Sequence, residues 1–238
     1  MSEVFVAPIL STALQKFKDI VKAHAESGGG EGKRLVIFCE DRLSLVAERA
    51  VCEVVGGTFA VQVTTLSRFL SAEEGRAENV LSSEASAMAI RKLIEKNKES
   101  LQLFKMLSTA GAAQEVYDTI ALLYSSRVTP DILAEVETDG KLLKRKLHDL
   151  EFLYRAYSEY LAETGAVDRN VYLRRVPEVI RSSEKIKGAD VTFFGFQALT
   201  ASVSDCVRAA FETADEVSGV FIGGAQNKYV NEAWTEFI

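Results

Sequence analysis

Cysteine is scarce in this chain: Cys39, Cys52 and Cys206 are the whole complement, and no two of them form a CxxC pair or any metal-type spacing. That excludes a disulfide framework and a cysteine-based zinc site, and all three read as buried small apolar residues in a reducing cytoplasm. Proline is equally rare, at Pro8, Pro130 and Pro177, and beside long stretches rich in Ala, Leu, Glu and Lys this predicts a helix-rich protein. Long apolar runs are missing. Val4 to Leu10 falls far short of the roughly 20 residues that span a bilayer, and no basic segment followed by an apolar stretch and a cleavage site opens the chain, so neither a membrane span nor a signal peptide is read. A basic excess is missing too. The net charge of −6 excludes a chain that is basic as a whole, although a local patch suffices for phosphate contacts.

What is present is the content of a soluble globular protein, 47% hydrophobic and 26% charged over 238 residues. The first third alternates between strand and helix patterns. "VFVAPI" (Val4 to Ile9) predicts a buried strand, Ser11 or Thr12 a cap for a helix to about Ala25, and "RLVIFCE" (Arg34 to Glu40) a second strand. A helix over Leu43 to Val55 stops at Gly56-Gly57, and "TFAVQVTTL" (Thr58 to Leu66) predicts a third strand. Strand and helix in alternation with short connections imply a parallel sheet covered by helices.

From about Ala72 the pattern turns helical. Ser83 to Lys98, Leu101 to Ser125 and Lys141 to Glu163 carry helical periodicity, clearest in the stripe Leu143, Leu147, Leu150, Tyr154, Tyr157 and Leu161, which reads as the core face of a helical bundle. Thr129-Pro130 marks a helix start, and Arg169 to Ile180 predicts a short helix limited by Pro177. Strand grammar then returns with "DVTFFGF" (Asp190 to Phe196), a helix over Ala201 to Ala214, the strand "EVSGVFIGG" (Glu216 to Gly224), and the start of another helix at "NEAWTEF". The expected fold class is therefore α/β, a parallel sheet flanked by helices and interrupted by a large all-helical insertion. Residues 1–71 and 188–238 would form the sheet domain and 72–187 the insertion. A helix just begun where the chain stops predicts a fragment of a longer protein.

"ESGGGEGKRLVIFCED" (Glu26 to Asp41) invites a phosphate-loop reading, GxxxxGK[ST]. The register fails. With Gly32-Lys33 as the GK pair, the first glycine position is Ser27 and the hydroxyl position is Arg34. The glycines also follow a helix and precede a strand, the reverse of the order in which a phosphate loop opens a helix. Ser27 to Gly32 reads instead as a flexible connection. The place for such a loop is after the first strand, where Pro8, Ile9, Leu10, Ser11 and Thr12 contain neither glycine nor lysine. An acidic Mg²⁺ ligand is expected at the end of a core strand, yet "VTFF" leads into Gly195-Phe196-Gln197, and Asp190 lies at the other end.

No GxSxG serine or metal-type cluster occurs, and His24 and His148, on helices beside Lys and Glu, read as solvated. No catalytic residue and no metal site are expected. Basic groups do cluster. Lys141, Lys144, Arg145 and Lys146 lie near the start of a long helix, and Arg174, Arg175, Arg181, Lys185 and Lys187 follow later. Either is a solvated helix face or a phosphate-contacting surface. Thr64, Thr65, Ser67 and Arg68 sit at a strand's carboxyl end, where α/β folds present ligand-contacting loops.

"RLVIFCEDRLSLVAERAVCEVVGGTFAVQVTTLSRFL" resembles the N-terminal region of the AddB/RexB subunit of the bacterial ATP-dependent helicase/deoxyribonuclease. The likeness rests on Glu40-Asp41, Ala47-Glu48-Arg49, Gly56-Gly57 and Val63 to Phe69. "KLHDLEFLYRAYSEYL" (Lys146 to Leu161) and "VTFFGFQALTASVSDCVRAAF" are similar to two later segments of that family. The resemblance implies a RecA-like domain of the UvrD-type superfamily 1 helicases with a helical insertion. It implies a motor-inactive, DNA-scanning scaffold that works with an AddA-type helicase–nuclease partner on double-strand ends during recombinational repair. The iron–sulfur nuclease of the family lies far C-terminal of this region. Two departures stand out. The Walker A position holds Pro8, Ile9, Leu10, Ser11 and Thr12, and the Walker B position holds Phe194 where the family has Asp, so neither ATP nor Mg²⁺ is expected as a cofactor here. Thr65, Ser67 and Arg68 match the helicase region that touches single-stranded DNA, and with Lys141, Lys144, Arg145 and Lys146 they are the expected DNA contacts. Two other readings stay open: a working nucleotide-dependent motor with elements supplied elsewhere in the chain, and a pure assembly scaffold without DNA contact.

Overall fold

The computed structural model describes residues 3–29, 33–56, 60–75, 79–107, 109–223 and 228–235. The chain forms two compact units, Met1–Arg76 with Arg175–Ile238, and Ala77–Arg174.

The first unit is built on five parallel strands: β1 (Val4–Ala7), β2 (Leu35–Cys39), β3 (Val61–Thr64), β6 (Asp190–Phe194) and β7 (Glu216–Ile222). Their spatial order is β1-β7-β6-β2-β3. The strands are near-continuous apolar runs because helices cover both faces. On one face Ile37, Cys39, Phe194 and Val220 pack under α1 (Leu10–His24) and α2 (Ser44–Val55), with the Phe17 and Phe194 rings stacked at 4.3 Å. On the other, Phe38 meets Phe69 of α3 (Leu66–Glu74) edge-on at 5.1 Å and stacks on Phe193 at 5.4 Å. The helices α9 (Val176–Ser182) and α10 (Ala201–Thr213) pack on one another, and α9 also meets α3, which makes α9 part of the sheet-bearing unit. Trp234 of α11 (Lys228–Thr235) lies against β7 at Gly219, where a Cβ would stand 2.8 Å from its ring.

The second unit holds a two-residue parallel ladder, β4 (Val80–Leu81) with β5 (Val167–Asp168), which the helical periodicity of this region did not announce. Its helices are α4 (Ser83–Lys96), α5 (Ala110–Ser125), α6 (Pro130–Ala134), α7 (Lys141–Thr164) and α8 (Arg169–Leu173). Ile90, Ile94, Val116, Ile120, Leu153 and Tyr157 form its core.

Several expected elements differ in detail. The helix read over Leu101 to Ser125 begins only at Ala110, capped by Thr109, and Phe104–Met106 is a separate 3-10 turn. The cause is Asp149 on α7, whose carboxylate takes the N–H groups of Gln102, Leu103 and Phe104 before they can join a longer helix. Arg169 to Ile180 is two helices rather than one, with Pro177 in the first turn of the second, where its missing N–H costs nothing. The stretch read as a flexible connection begins as a π-helical turn, Ala25–Gly29, continuing α1; Gly30 to Gly32 lie outside the described residues. Cys39 and Cys206 are buried as expected, but Cys52 is exposed on α2.

Candidate nucleic-acid interface

In a parallel sheet the ligand-facing crevice lies outside the carboxyl ends of neighbouring strands whose onward connections run in opposite directions. Here β2 leads outward to β3 and β6 leads the other way to β7, so the carboxyl ends of β2 and β6 flank it. There Leu43, which follows β2, comes against Gly195, which follows β6. Gly195, directly after β6, has φ +83°, and a Cβ on it would stand 2.3 Å from Leu43 Cδ1. Leu43 is itself only 7% exposed, wedged against the core beneath α1 and α2. Beside it, the Glu40 carboxylate accepts the Gln197 N–H at 3.3 Å and the Arg42 Nε–H at 2.6 Å.

At the end of β1, Pro8 and Ile9 are the whole connection from Ala7 to α1, and Ile9 caps that helix without any side-chain hydrogen bond. Leu10, Ser11 and Thr12 are already its first turn, and Ile9 is 58% exposed. Phe194, at the expected Walker B position, is fully buried against Phe17.

The expected contact residues fall in both units. Thr65 is 2% exposed and serves α3 as N-cap: its Oγ1 accepts the Arg68 N–H at 3.3 Å and lies 3.1 Å from Ser67 Oγ. The Arg68 side chain is 58% exposed and 3.6 Å from Glu48. In this cluster the hydroxyls are engaged in holding the helix start, and Arg68 is the group that faces outward.

Lys141, Lys144, Arg145 and Lys146 open α7 and are all exposed. At 3.6 residues per turn the first three share one face and Lys146 stands about 100° beyond Arg145. Arg145 donates Nη2–H to the Gln102 carbonyl at 3.2 Å, and Lys141, Lys144 and Lys146 form no ion pair among the described residues. The first turn carries no acidic residue and the N-cap, Gly140, offers no side chain to the free N–H groups. Four cations at the positive end of a helix run against the macrodipole, an arrangement that an anion would relieve.

The later basic group is different. Arg175 pairs with Glu74 at 2.9 Å, Arg181 with Glu212 at 2.5 Å, Lys185 with Glu73 at 2.6 Å, and Lys187 with Glu184. Arg174 donates to the Tyr124 carbonyl at 3.2 Å and lies over that ring. These cations hold the protein's own acids and carbonyls.

Asp149 fixes α7 within the second unit. Burial pushes its carboxyl up, but the backbone N–H groups of Gln102, Phe104 and Leu103, with His148, outweigh this and hold it below the usual carboxylate range. A second buried carboxylate, Asp168, accepts from the Tyr157 hydroxyl at 2.8 Å, the Tyr117 hydroxyl at 3.1 Å and the Asn170 N–H at 2.7 Å.

Local pattern puts both histidines in solvent. His148 is half-exposed, but His24 is buried, with Nδ1 2.9 Å from Asp190 Oδ2. The pattern of Lys22 and Glu26 around His24 hides this, because only the docking of α1 on the sheet brings Asp190, 166 residues later, beside it. Lys33, the lysine of the apparent GK pair, also belongs here: it lies 2.7 Å from Asp190 and 3.6 Å from Asp215, before β2 and hence at the amino edge of the sheet. Among the described residues no three His, Cys, Asp or Glu side chains stand together as metal ligands, and no helix is long and apolar enough to cross a membrane.

The comparisons with known proteins agree with one another. A family model described as "ADDB, N-terminal" matches residues 16–233. The B subunit of the ATP-dependent helicase/deoxyribonuclease of Desulfitobacterium hafniense is 29% identical over 195 residues, 79% of this chain and 16% of its own length. The protein of the same name from Moorella thermoacetica is 29% identical over 204 residues, 80% of this chain and 18% of its own. That of Bacillus mycoides is 26% identical over 203 residues, 79% and 17% respectively. This chain thus spans 16–18% of the length of those relatives. With a match over nearly all of the sequence and a parallel five-stranded sheet of the RecA-like kind, the chain belongs to the AddB N-terminal family.

Proposed function

We propose that this chain is a nucleotide-independent, helicase-like module of an AddB-type subunit. It holds DNA, and an AddA-type partner, while double-strand ends are processed for recombinational repair in the cytoplasm. The observation that carries the DNA contact is the start of α7: four exposed cations, an uncapped helix N-terminus and no acid in the first turn. Arg68 is the candidate contact in the other unit, its side chain needing only to leave Glu48 at 3.6 Å.

Nucleotide independence is supported by the filled crevice at Leu43 and Gly195 and by the two-residue connection Pro8-Ile9, which has no loop to wrap a triphosphate. The rival, a working motor with elements supplied elsewhere in the chain, draws no support from Lys33, which lies at the opposite edge of the sheet, paired with Asp190.

The test is fluorescence anisotropy of a labelled oligo-dT single strand and of a blunt duplex, titrated with the chain at several salt concentrations. Binding should weaken steeply with salt, and the K144E/R145E double variant should lose most of it. Unchanged binding by that variant would remove α7 from the interface, and no binding at low salt would leave the assembly-scaffold reading. ATP with Mg²⁺ should not raise the melting temperature; a rise at millimolar ATP would restore the motor.

A further inference from the structure

The amino edge of the sheet in the first unit carries a cavity of about 390 Å³, on the opposite side from the crevice that Leu43 fills. Its polar wall includes His24, Asp190, Thr192 and Ser218, and Ile20, Leu35 and Val217 contribute apolar surface. Its volume is within the roughly 300–1,000 Å³ of small-molecule sites.

The chemistry of the wall is set by one chain of contacts. Asp190 Oδ1 lies 2.7 Å from the Lys33 ammonium, and a carboxylate paired with an ammonium offers its oxygens as acceptors. His24 Nδ1, 2.9 Å from Oδ2, must then carry the proton that is shared with it. In the neutral imidazole this leaves Nε2 as a lone-pair acceptor. The His24 side chain is 5% exposed, and Nε2 is buried with no hydrogen-bond partner among the described residues. A buried polar atom without a partner is destabilising, so a ligand that donates to it gains affinity. Thr192 Oγ1 and Ser218 Oγ, 2.9 Å apart, bond to each other and add a second polar spot. The charged groups in the wall are Glu3, Asp190 and Glu216, all acidic, which opposes an anion and a nucleic-acid backbone alike.

We infer that this cavity is a binding site for a small uncharged or cationic molecule with an apolar body and one N–H or O–H donor, received by His24 Nε2. The site is separate from the proposed DNA contacts and does not depend on them.

With only two histidines in the chain, both can be followed in the unsubstituted protein. The ring nitrogens of His24 and His148 are followed by long-range ¹H–¹⁵N spectra on the ¹⁵N-histidine-labelled chain, with His148, in the other unit, as internal control. Phenol and benzamidine supply the donor; toluene lacks it, and benzoate supplies a negative charge. Phenol or benzamidine should shift Nε2 of His24 saturably and leave His148 in place, with toluene and benzoate weaker by about tenfold or more. The D190N variant, which weakens the anchor on Nδ1, should lower phenol affinity by a similar factor. Equal binding of toluene and phenol, binding of benzoate, joint movement of both histidines, or no shift with any probe would each overturn the assignment.

Discussion

The carboxylate of Asp149, in the middle of α7, accepts the backbone N–H of Phe104 at 2.8 Å, and with it those of Gln102 and Leu103. One side chain thereby satisfies three amides of a loop 45 to 47 residues earlier and orients the helix that carries the basic cluster.

Removing this carboxylate should be costly. Asp149→Ala leaves three N–H groups without their acceptor in a fully buried site, and a loss of about 3 kcal/mol is expected in urea unfolding followed by circular dichroism. If the loss stays under 1 kcal/mol, water replaces the carboxylate and the contact is not structural. The pH dependence follows from the lowered pKa. A carboxyl held below its unfolded value contributes stability that is complete above about pH 4 and is lost as pH falls through the folded value. Wild-type stability should therefore decline below about pH 4 more steeply than that of the alanine variant.

Gly195→Ala tests the filled crevice. The residue has φ +83° and the new Cβ would meet Leu43 Cδ1 at 2.3 Å, so strain and overpacking act together, at a cost of about 2 kcal/mol or more. Trp234, the single tryptophan and buried, reports unfolding of this unit by its emission. Adding Leu43→Ala should cost less in the G195A background than in wild type. Simple additivity would show that the two residues do not compete for one space.

The thiols divide by burial. Cys52 is exposed, whereas burial pushes the Cys39 thiol up to about 11 and the Cys206 thiol to about 12. An aromatic disulfide reagent at pH 8 should titrate one thiol promptly and the other two only on unfolding. Three fast thiols would contradict the packing around Cys39 and Cys206.

For DNA, removing a single phosphate-binding cation should reduce the salt slope of single-strand binding by about 0.7. K144A and R145A should each show a change of this order in anisotropy titrations. R68A should do so only if the first unit also touches the strand.

Much of this protein was determined locally. The five strands, the stripe Leu147, Leu150, Tyr154, Tyr157 and Leu161 (but not Leu143, read as its first member and 48% exposed), and the helix stops and starts at Gly56 and Thr129-Pro130 were legible because periodicity and caps act over a few residues. The absence of glycine and lysine after the first strand was legible in the same way, since Pro8 to Thr12 are consecutive. What only the tertiary structure decided concerns residues far apart in the chain. Asp149 breaks the helix read over Leu101 to Ser125, Leu43 takes the space beside Gly195, and His24 is buried against Asp190. The sheet order places these partners together, and no local pattern encodes it. The basic clusters show the same division. Sequence marked both, but only the fold showed that Arg175, Arg181, Lys185 and Lys187 are held by carboxylates, whereas the cations opening α7 have no such partner among the described residues. Charge is a property of the residue, whereas its availability depends on which neighbours the fold supplies.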